Sequence, residues 1–279
     1  MLKGLQTEDG SRNIEWELLD LSRDVDALGP ADHAIIAALK FSATSRSELD
    51  PRTVSASEAE KGVRQMFLER TTDYFLPPSA LIGGLMGTVR HAATFNNGHD
   101  EFIFEQRYYD QWGSAQIDSF HIPTGTLSDL KTLGWYKVKM MLTKGIMEEG
   151  LGYVYQVNRQ RQLLEKSTPY KVMAQHLMIV PTGIQGRVKD EAASLGVAHG
   201  MIRMDVPRLH DDDIVEFYKV KADALAAAME ANAAPYCTVQ QTWGGKKCAQ
   251  SNYCPVNKEC WKRAFASGET HPYLRDEPK

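Results

Sequence analysis

The chain has 279 residues, a formal net charge of −4, 43% hydrophobic and 24% charged residues. That balance excludes a disordered protein and gives no global electrostatic pull toward nucleic acid, while the length suits one large domain or one domain with appendages. No apolar run of about 18 residues occurs, which excludes a membrane-spanning helix. The first ten residues, Met1 to Gly10, lack the apolar core of a signal peptide. A cytoplasmic location is therefore expected, where thiols stay reduced. Neither an internal repeat nor a low-complexity tract stands out.

Residues 1–50 read as a polar, acidic extension with one helical patch over Ala31–Phe41. Ser55 with Glu58, and Ser57 with Glu60, offer two overlapping capping boxes, so a helix is predicted from there to about Arg70. Pro77-Pro78-Ser79 starts another helix through Leu81, Leu85, Val89 and Ala92, with His91 near its end. Glu101–Tyr108, Ser114–Phe120 and the stretch carrying Asp129 read as a three-strand meander. Residues 134–166 have helical periodicity interrupted by Gly145, Gly150 and Gly152. Tyr170–Val180 and Met201–Val206 read as strands, with Pro181–Gly200 a loop or exposed segment between them. Asp211–Asn232 reads as a helix. The order predicts an α/β fold, a mixed sheet flanked by helices. Its segments are an extension (1–50), a core (51–232) and a cysteine-rich tail (233–279).

The most informative stretch is Ile117 to Thr132, two alternating apolar runs around Pro123-Thr124-Gly125, which predicts a hairpin. Asp118 and Asp129 are equidistant from the Pro123–Thr124 bond, so they face one another across the ladder or miss by one register step. Asp129 and Lys131 share one strand face. Two carboxylates suit Mg²⁺ or Mn²⁺, and a lysine beside the ion can position a water or stabilise phosphate charge. The plain alternative is a surface hairpin with a cross-strand salt bridge.

Further residues in order change that balance. Gly87-Thr88-Val89-Arg90-His91 resembles the Gly-x-x-x-His helix of RecB-type nucleases in the PD-(D/E)XK superfamily. Asp118 resembles the aspartate of their second motif, with Ala115 where they usually have glycine. Asp129-Leu130-Lys131-Thr132 resembles their Asp-x-Lys-Thr signature. Tyr155-Gln156-Val157-Asn158-Arg159-Gln160 resembles their Gln-x-x-x-Tyr helix, with Gln160 in the tyrosine position. The resemblance spans residues 87–160 and implies a restriction-endonuclease-like fold. It also implies roles. Asp118 and Asp129 hold the divalent metal, with His91 and the Leu130 carbonyl as further ligands. Lys131 orients the attacking water, and Gln156 places the substrate backbone, with Gln160 on the same helix face. Standing alone, His91 reads equally as a helix-end histidine near the carbonyl dipole. Glu105, on the preceding strand, is either a support of the site or an exposed carboxylate.

All four cysteines lie in the tail, spaced Cys237-x10-Cys248-x5-Cys254-x5-Cys260. With disulfides disfavoured, metal is the natural reading. Zinc modules usually show closer Cys-x₂₋₄-Cys pairs, whereas irregular spacing suits a 4Fe-4S cluster; zinc and free thiols stay open. Some RecB-type nucleases, including CRISPR spacer-acquisition nucleases, resemble this arrangement in carrying such a cluster. They have one cysteine in a lead-in helix of form Ser-x-x-x-x-Cys-x-Arg. Ser57 to Arg64 resembles that helix, with Gly62 at the cysteine position. Lys246 and Lys247, with Lys258, Lys262, Arg263 and interleaved Trp243, Tyr253 and Trp261, suit single-stranded nucleic acid. They serve equally as a solvated rim with aromatics shielding the cluster.

The resemblance thus implies a metal-dependent DNA exonuclease or single-strand nuclease, with a helicase, recombination or CRISPR-adaptation partner. The competing expectation is a DNA-binding or assembly subunit with a nuclease fold and little cutting.

Overall fold

A computed structural model describes residues 1–7, 9–28, 33–44, 52–95, 99–197, 200–250, 253–274 and 276. The first residues of the Ala31–Phe41 patch, and the 50/51 segment boundary, lie outside the described residues. In chain order the strands are β1 (Leu2–Gln6), β2 (Asn13–Glu15), β3 (Val54–Ser55), β4 (Tyr74–Leu76), β5 (Phe102–Asp110), β6 (Gly113–His121), β7 (Thr126–Gly134), β8 (Ala174–Thr182) and β9 (Ile202–Asp205). The helices are α1 (Leu21–Asp24), α2 (His33–Thr44), α3 (Val63–Thr71), α4 (Pro78–Phe95), α5 (Trp135–Lys144), α6 (Ile146–Glu149), α7 (Leu151–Ser167), α8 (Arg187–Ser194), α9 (Asp211–Ala231) and α10 (Asn257–Ala266). Contacts divide the chain into two discontinuous units. One holds Met1–Arg52, Lys61–Thr88 and Asp223–Lys279; the other holds Thr53–Glu60 and Val89–Ala222. They cut across the three sequence segments. Among the described residues no helix is long and apolar enough to cross a membrane.

In the first unit β1 pairs antiparallel with β2 and parallel with β4, giving the order β2-β1-β4. Leu5, Ile14, Trp16, Leu28, Ile36 and Leu39 form the core beneath this sheet. The extension is thus built on strands as well as the predicted helix. The helix predicted from Ser55 breaks instead. Ser55 and Glu58 do form their capping box, but on a short 3₁₀ turn, Ala56–Glu58. The chain then extends at Gly62 (φ −70°, ψ 152°), and α3 starts one residue later.

The second unit is the α/β body, a mixed sheet flanked by helices. Its path is β3-β6-β7-β8-β9, with β5 on the other edge of β6. The hairpin is β6–β7, joined through Gly125 at φ +64°, where a side chain would be strained. β8 runs parallel to β7, Thr126↔Ala174 through Gly134↔Thr182, and β9 runs antiparallel to β8. α5 and α7 pack against this sheet, over Phe120, Leu127, Val138, Val154, Val157, Leu164, Leu177 and Ile179. The predicted break at Gly145 separates α5 from α6, with φ +93°, and Gly150 caps α7. The Pro181–Gly200 segment contains α8, four of whose eight residues are charged.

α7 is buried on almost every side, including Gln156, Asn158, Arg159, Gln160, Arg161 and Gln162. Buried polar groups need partners. Arg159 pairs with Asp110 at 2.6 Å, Arg161 with Glu165 at 3.2 Å, and Asn158 donates to the Pro207 carbonyl at 2.9 Å. The two glutamines turn toward the hairpin.

Candidate active site

The site lies where β6 and β7 part. Their ladder pairs His121↔Thr126, Phe120↔Leu127 and Ser119↔Ser128, then stops. Continuing the register would set Asp118 opposite Asp129. Instead the Asp118 carboxylate accepts the Leu130 backbone N–H at 2.8 Å, replacing a ladder bond with a side chain. Farther along, β3 takes over beside β6 at Gly113 and Ser114. In the gap between, Gln160 Nε2 donates to the Gln116 carbonyl at 2.8 Å.

Asp129 is fully buried. It sits inside the protein, not in the surface groove that an exposed hairpin would give it. Its Oδ1 accepts Nε2–H groups from Gln156 and Gln160, each at 2.8 Å. Its Oδ2 faces Lys131 Nζ at 2.5 Å. Both glutamine amides are thus turned to Asp129. Burial opposes the charge on Lys131, but the Asp129 and Asp118 carboxylates outweigh it and raise its pKa. Asp118 is pushed up to about 7, first by burial and then by the Asp129 charge, against Lys131 and His91.

α4 brings His91 to this point, and Arg90 anchors the helix by donating to Thr132 Oγ1 at 2.7 Å. His91 Nε2 lies 3.1 Å from the Leu130 carbonyl and 3.6 Å from Asp118 Oδ2. Its Nδ1 lies 3.1 Å from Glu105 Oε1. The Glu105 hydrogen bond, against burial, raises the His91 pKa, with Asp118 adding to it. One imidazole edge therefore meets two oxygens and the other a carboxylate.

Glu105 is the residue that sequence reasoning left undecided. On the β5–β6 register it falls opposite Asp118, between the pairs Phe104↔Ser119 and Gln106↔Ile117. Its backbone is left-handed, φ +51°, a conformation costing about 1–3 kcal/mol that persists only where surroundings enforce it. Gln116 Nε2 holds the other carboxylate oxygen. Donor atoms of His91, Glu105 and Asp118 all lie within 4.8 Å of one another.

A divalent cation fits this donor set. His91 Nε2, the Leu130 carbonyl and Asp118 converge, and the Asp118 carboxylate, held above its ordinary pKa by burial and then by the Asp129 charge, gains from a positive ion. Oxygen-rich donors with one imidazole suit Mg²⁺ or Mn²⁺.

In the first unit the four cysteines are free thiols and line one small pocket with Arg64, Gln65, Tyr236, Asn257 and His271. Burial first, and neighbouring sulfurs second, push Cys248 up to about 11 and Cys254 up to about 12. A side chain at Gly62 would strike Cys237 Sγ and come within 2.9 Å of Gln241 Oε1. Cys237 thus fills the space beside α3 where a residue-62 side chain would project. Lys246 is exposed, whereas Lys247 is largely buried, its Nζ 5.9 Å from the Trp243 ring. Trp243 is half-exposed at φ +52° and meets Tyr253 edge-on at 5.1 Å.

No family model matches the chain, and no curated protein matches it. Among solved structures it is similar to a phage-related exonuclease from Haemophilus somnus 129PT. The identity is 11%, over 75% of this chain and 86% of that chain, with a TM-score of 0.35.

Proposed function

We propose that the chain is a divalent-metal-dependent DNA nuclease of the RecB-type, restriction-endonuclease-like class, acting on ends or single strands. The observation that carries this reading is the parted β6–β7 ladder, which gathers His91, Asp118, Asp129, the Leu130 carbonyl and Lys131 at one point. His91, Asp118, Asp129 and the Leu130 carbonyl hold Mg²⁺ or Mn²⁺. When bound, the ion supplies Lewis acidity at a phosphodiester. Lys131, charged and steadied by Asp129, donates to the attacking water or to a phosphate oxygen. Gln156 and Gln160 keep Asp129 in one rotamer, and Glu105 does the same for the imidazole.

The tail residues Cys237, Cys248, Cys254 and Cys260 hold a 4Fe-4S cluster in this reading. Two buried thiols, Cys248 and Cys254, and two half-buried ones, Cys237 and Cys260, around one pocket fit a thiolate-bound centre. Tetrahedral zinc draws its four sulfurs to about 3.8 Å of one another, given Zn–S near 2.3 Å. Among the described residues, the trio of donor atoms within 4.8 Å is His91, Glu105 and Asp118, and no cysteine joins one. Lys246, with Trp243 and Tyr253, supplies charge and stacking to a single strand.

The test is cleavage of end-labelled single- and double-stranded DNA with Mn²⁺, with EDTA, and by the Asp129→Asn variant. Cleavage that needs Mn²⁺ and is lost in the variant supports the reading. Cleavage persisting in EDTA or in Asp129→Asn removes it.

A further inference from the structure

Cys260 differs from its fellow cysteines in its neighbours, and the inference drawn from this rests on the cluster reading above. Two side-chain nitrogens meet its sulfur: Arg64 Nε at 3.0 Å and His271 Nε2 at 3.4 Å. Arg64 is held in place, its Nη1 donating to the Ala234 carbonyl at 2.7 Å and its guanidinium stacked 4.1 Å from the Tyr236 ring centroid. A guanidinium has donors and no acceptor, so Nε–H points at the sulfur.

The His271 tautomer follows from its other nitrogen. Nδ1 accepts the backbone N–H groups of Tyr273 at 3.2 Å and Leu274 at 3.1 Å. Two incoming donors require a lone pair there, so the ring proton of the neutral imidazole sits on Nε2 and faces Cys260. Tyr236 and Tyr273 border the ring at centroid distances of 5.3 and 6.2 Å, and only 7% of His271 is exposed. The imidazole is therefore fixed from both sides, with its N–H aimed at one ligand sulfur.

We propose that Arg64 and His271 are positioning residues that act through Cys260, drawing charge from its sulfur and holding the cluster's reduction potential up. An added electron spreads onto the ligand sulfurs. N–H donors to a sulfur therefore stabilise the reduced cluster more than the oxidised one. A merely structural role would fix Cys260 without moving the potential.

Two substitutions at one position separate these roles. His271→Asn keeps an acceptor near the Nδ1 position but removes the donor to sulfur. His271→Gln reaches the Nε2 position with an amide N–H. The full chain is purified anaerobically, iron and sulfide per chain are determined, and the midpoint potential is then titrated with dithionite by visible absorbance. Wild-type iron and sulfide in His271→Asn, a more negative midpoint, and recovery toward wild type in His271→Gln are expected. Arg64→Lys keeps the charge but not the guanidinium fork, and is expected to move the midpoint in the same direction. An unchanged midpoint in fully loaded His271→Asn overturns the proposal. Loss of iron from both His271 variants also overturns it, because the imidazole would then be a ligand. Wild-type protein without iron and sulfide overturns the cluster reading itself, and this proposal with it.

Discussion

Asp118 accepts the Leu130 backbone N–H at 2.8 Å, one step beyond the last β6–β7 pair. The same carboxylate thus closes the frayed ladder and faces His91. Asp118→Asn keeps an acceptor for Leu130 and removes only the charge. The variant is expected to fold with wild-type far-ultraviolet circular dichroism, to bind Mn²⁺ more weakly by calorimetry, and to lose cleavage. Wild-type Mn²⁺ affinity in Asp118→Asn would exclude this carboxylate as a ligand.

Lys131→Met separates catalysis from folding. If Lys131 serves the attacking water or phosphate as proposed, losing its ammonium is expected to slow cleavage on the order of 10²–10³-fold. It also strands the Asp129 carboxylate, which is fully buried, at about 3–5 kcal/mol for a broken buried pair. Melting without metal should therefore fall well below wild type. Added Mn²⁺ should stabilise the variant more than the native protein.

Gln160→Leu tests whether this amide serves Asp129 or the substrate. Its Nε2 bonds Asp129 and the Gln116 carbonyl, so the Mn²⁺ needed for half-maximal rate is expected to rise about 10–100-fold. An unchanged Mn²⁺ requirement with a raised KM for DNA would return Gln160 to substrate contact.

Glu105→Gly sets stability against function. Glycine relieves the φ +51° backbone, a gain of about 1 kcal/mol, and also deletes the carboxylate on His91 Nδ1. The variant should melt slightly higher while binding Mn²⁺ about 10–100-fold more weakly. A lower melting temperature would show that the carboxylate's bonds to His91 and Gln116 outweigh the strain.

Gly62→Ala places a methyl group against Cys237 Sγ. Overpacking of this kind costs about 1–3 kcal/mol, and the strain falls on the sulfur of Cys237, one of the four proposed cluster ligands. Protease sensitivity of the tail should rise, and iron content should drop, with cleavage by the Asp118–Asp129 site less affected.

Local patterns determined much of this protein. The β6–β7 hairpin, α4, α9 and the glycine breaks between α5 and α7 follow from residue periodicity and turn chemistry within a few residues of each element. Asp129 and Lys131 were legible on one face because a strand alternates, and Asp118 because the turn sets it across from Asp129; His91, on a helix, entered only through the resemblance. What needed distant chain was not legible. β1 has no amphipathic signal of its own and is a strand because β2 and β4 pair with it, β4 from some 70 residues away. α8 and α10 are eight and ten residues long, too short to hold a helix without tertiary packing, so their apolar spacing alone does not separate them from charged loop. Gly62 reads as a missing cysteine along the chain; only in space does Cys237 come to fill the room it leaves. Sequence order likewise placed Gln156 and Gln160 on one helix face. Packing decided that this face is buried, and a buried amide beside a buried carboxylate turns its N–H groups to that charge.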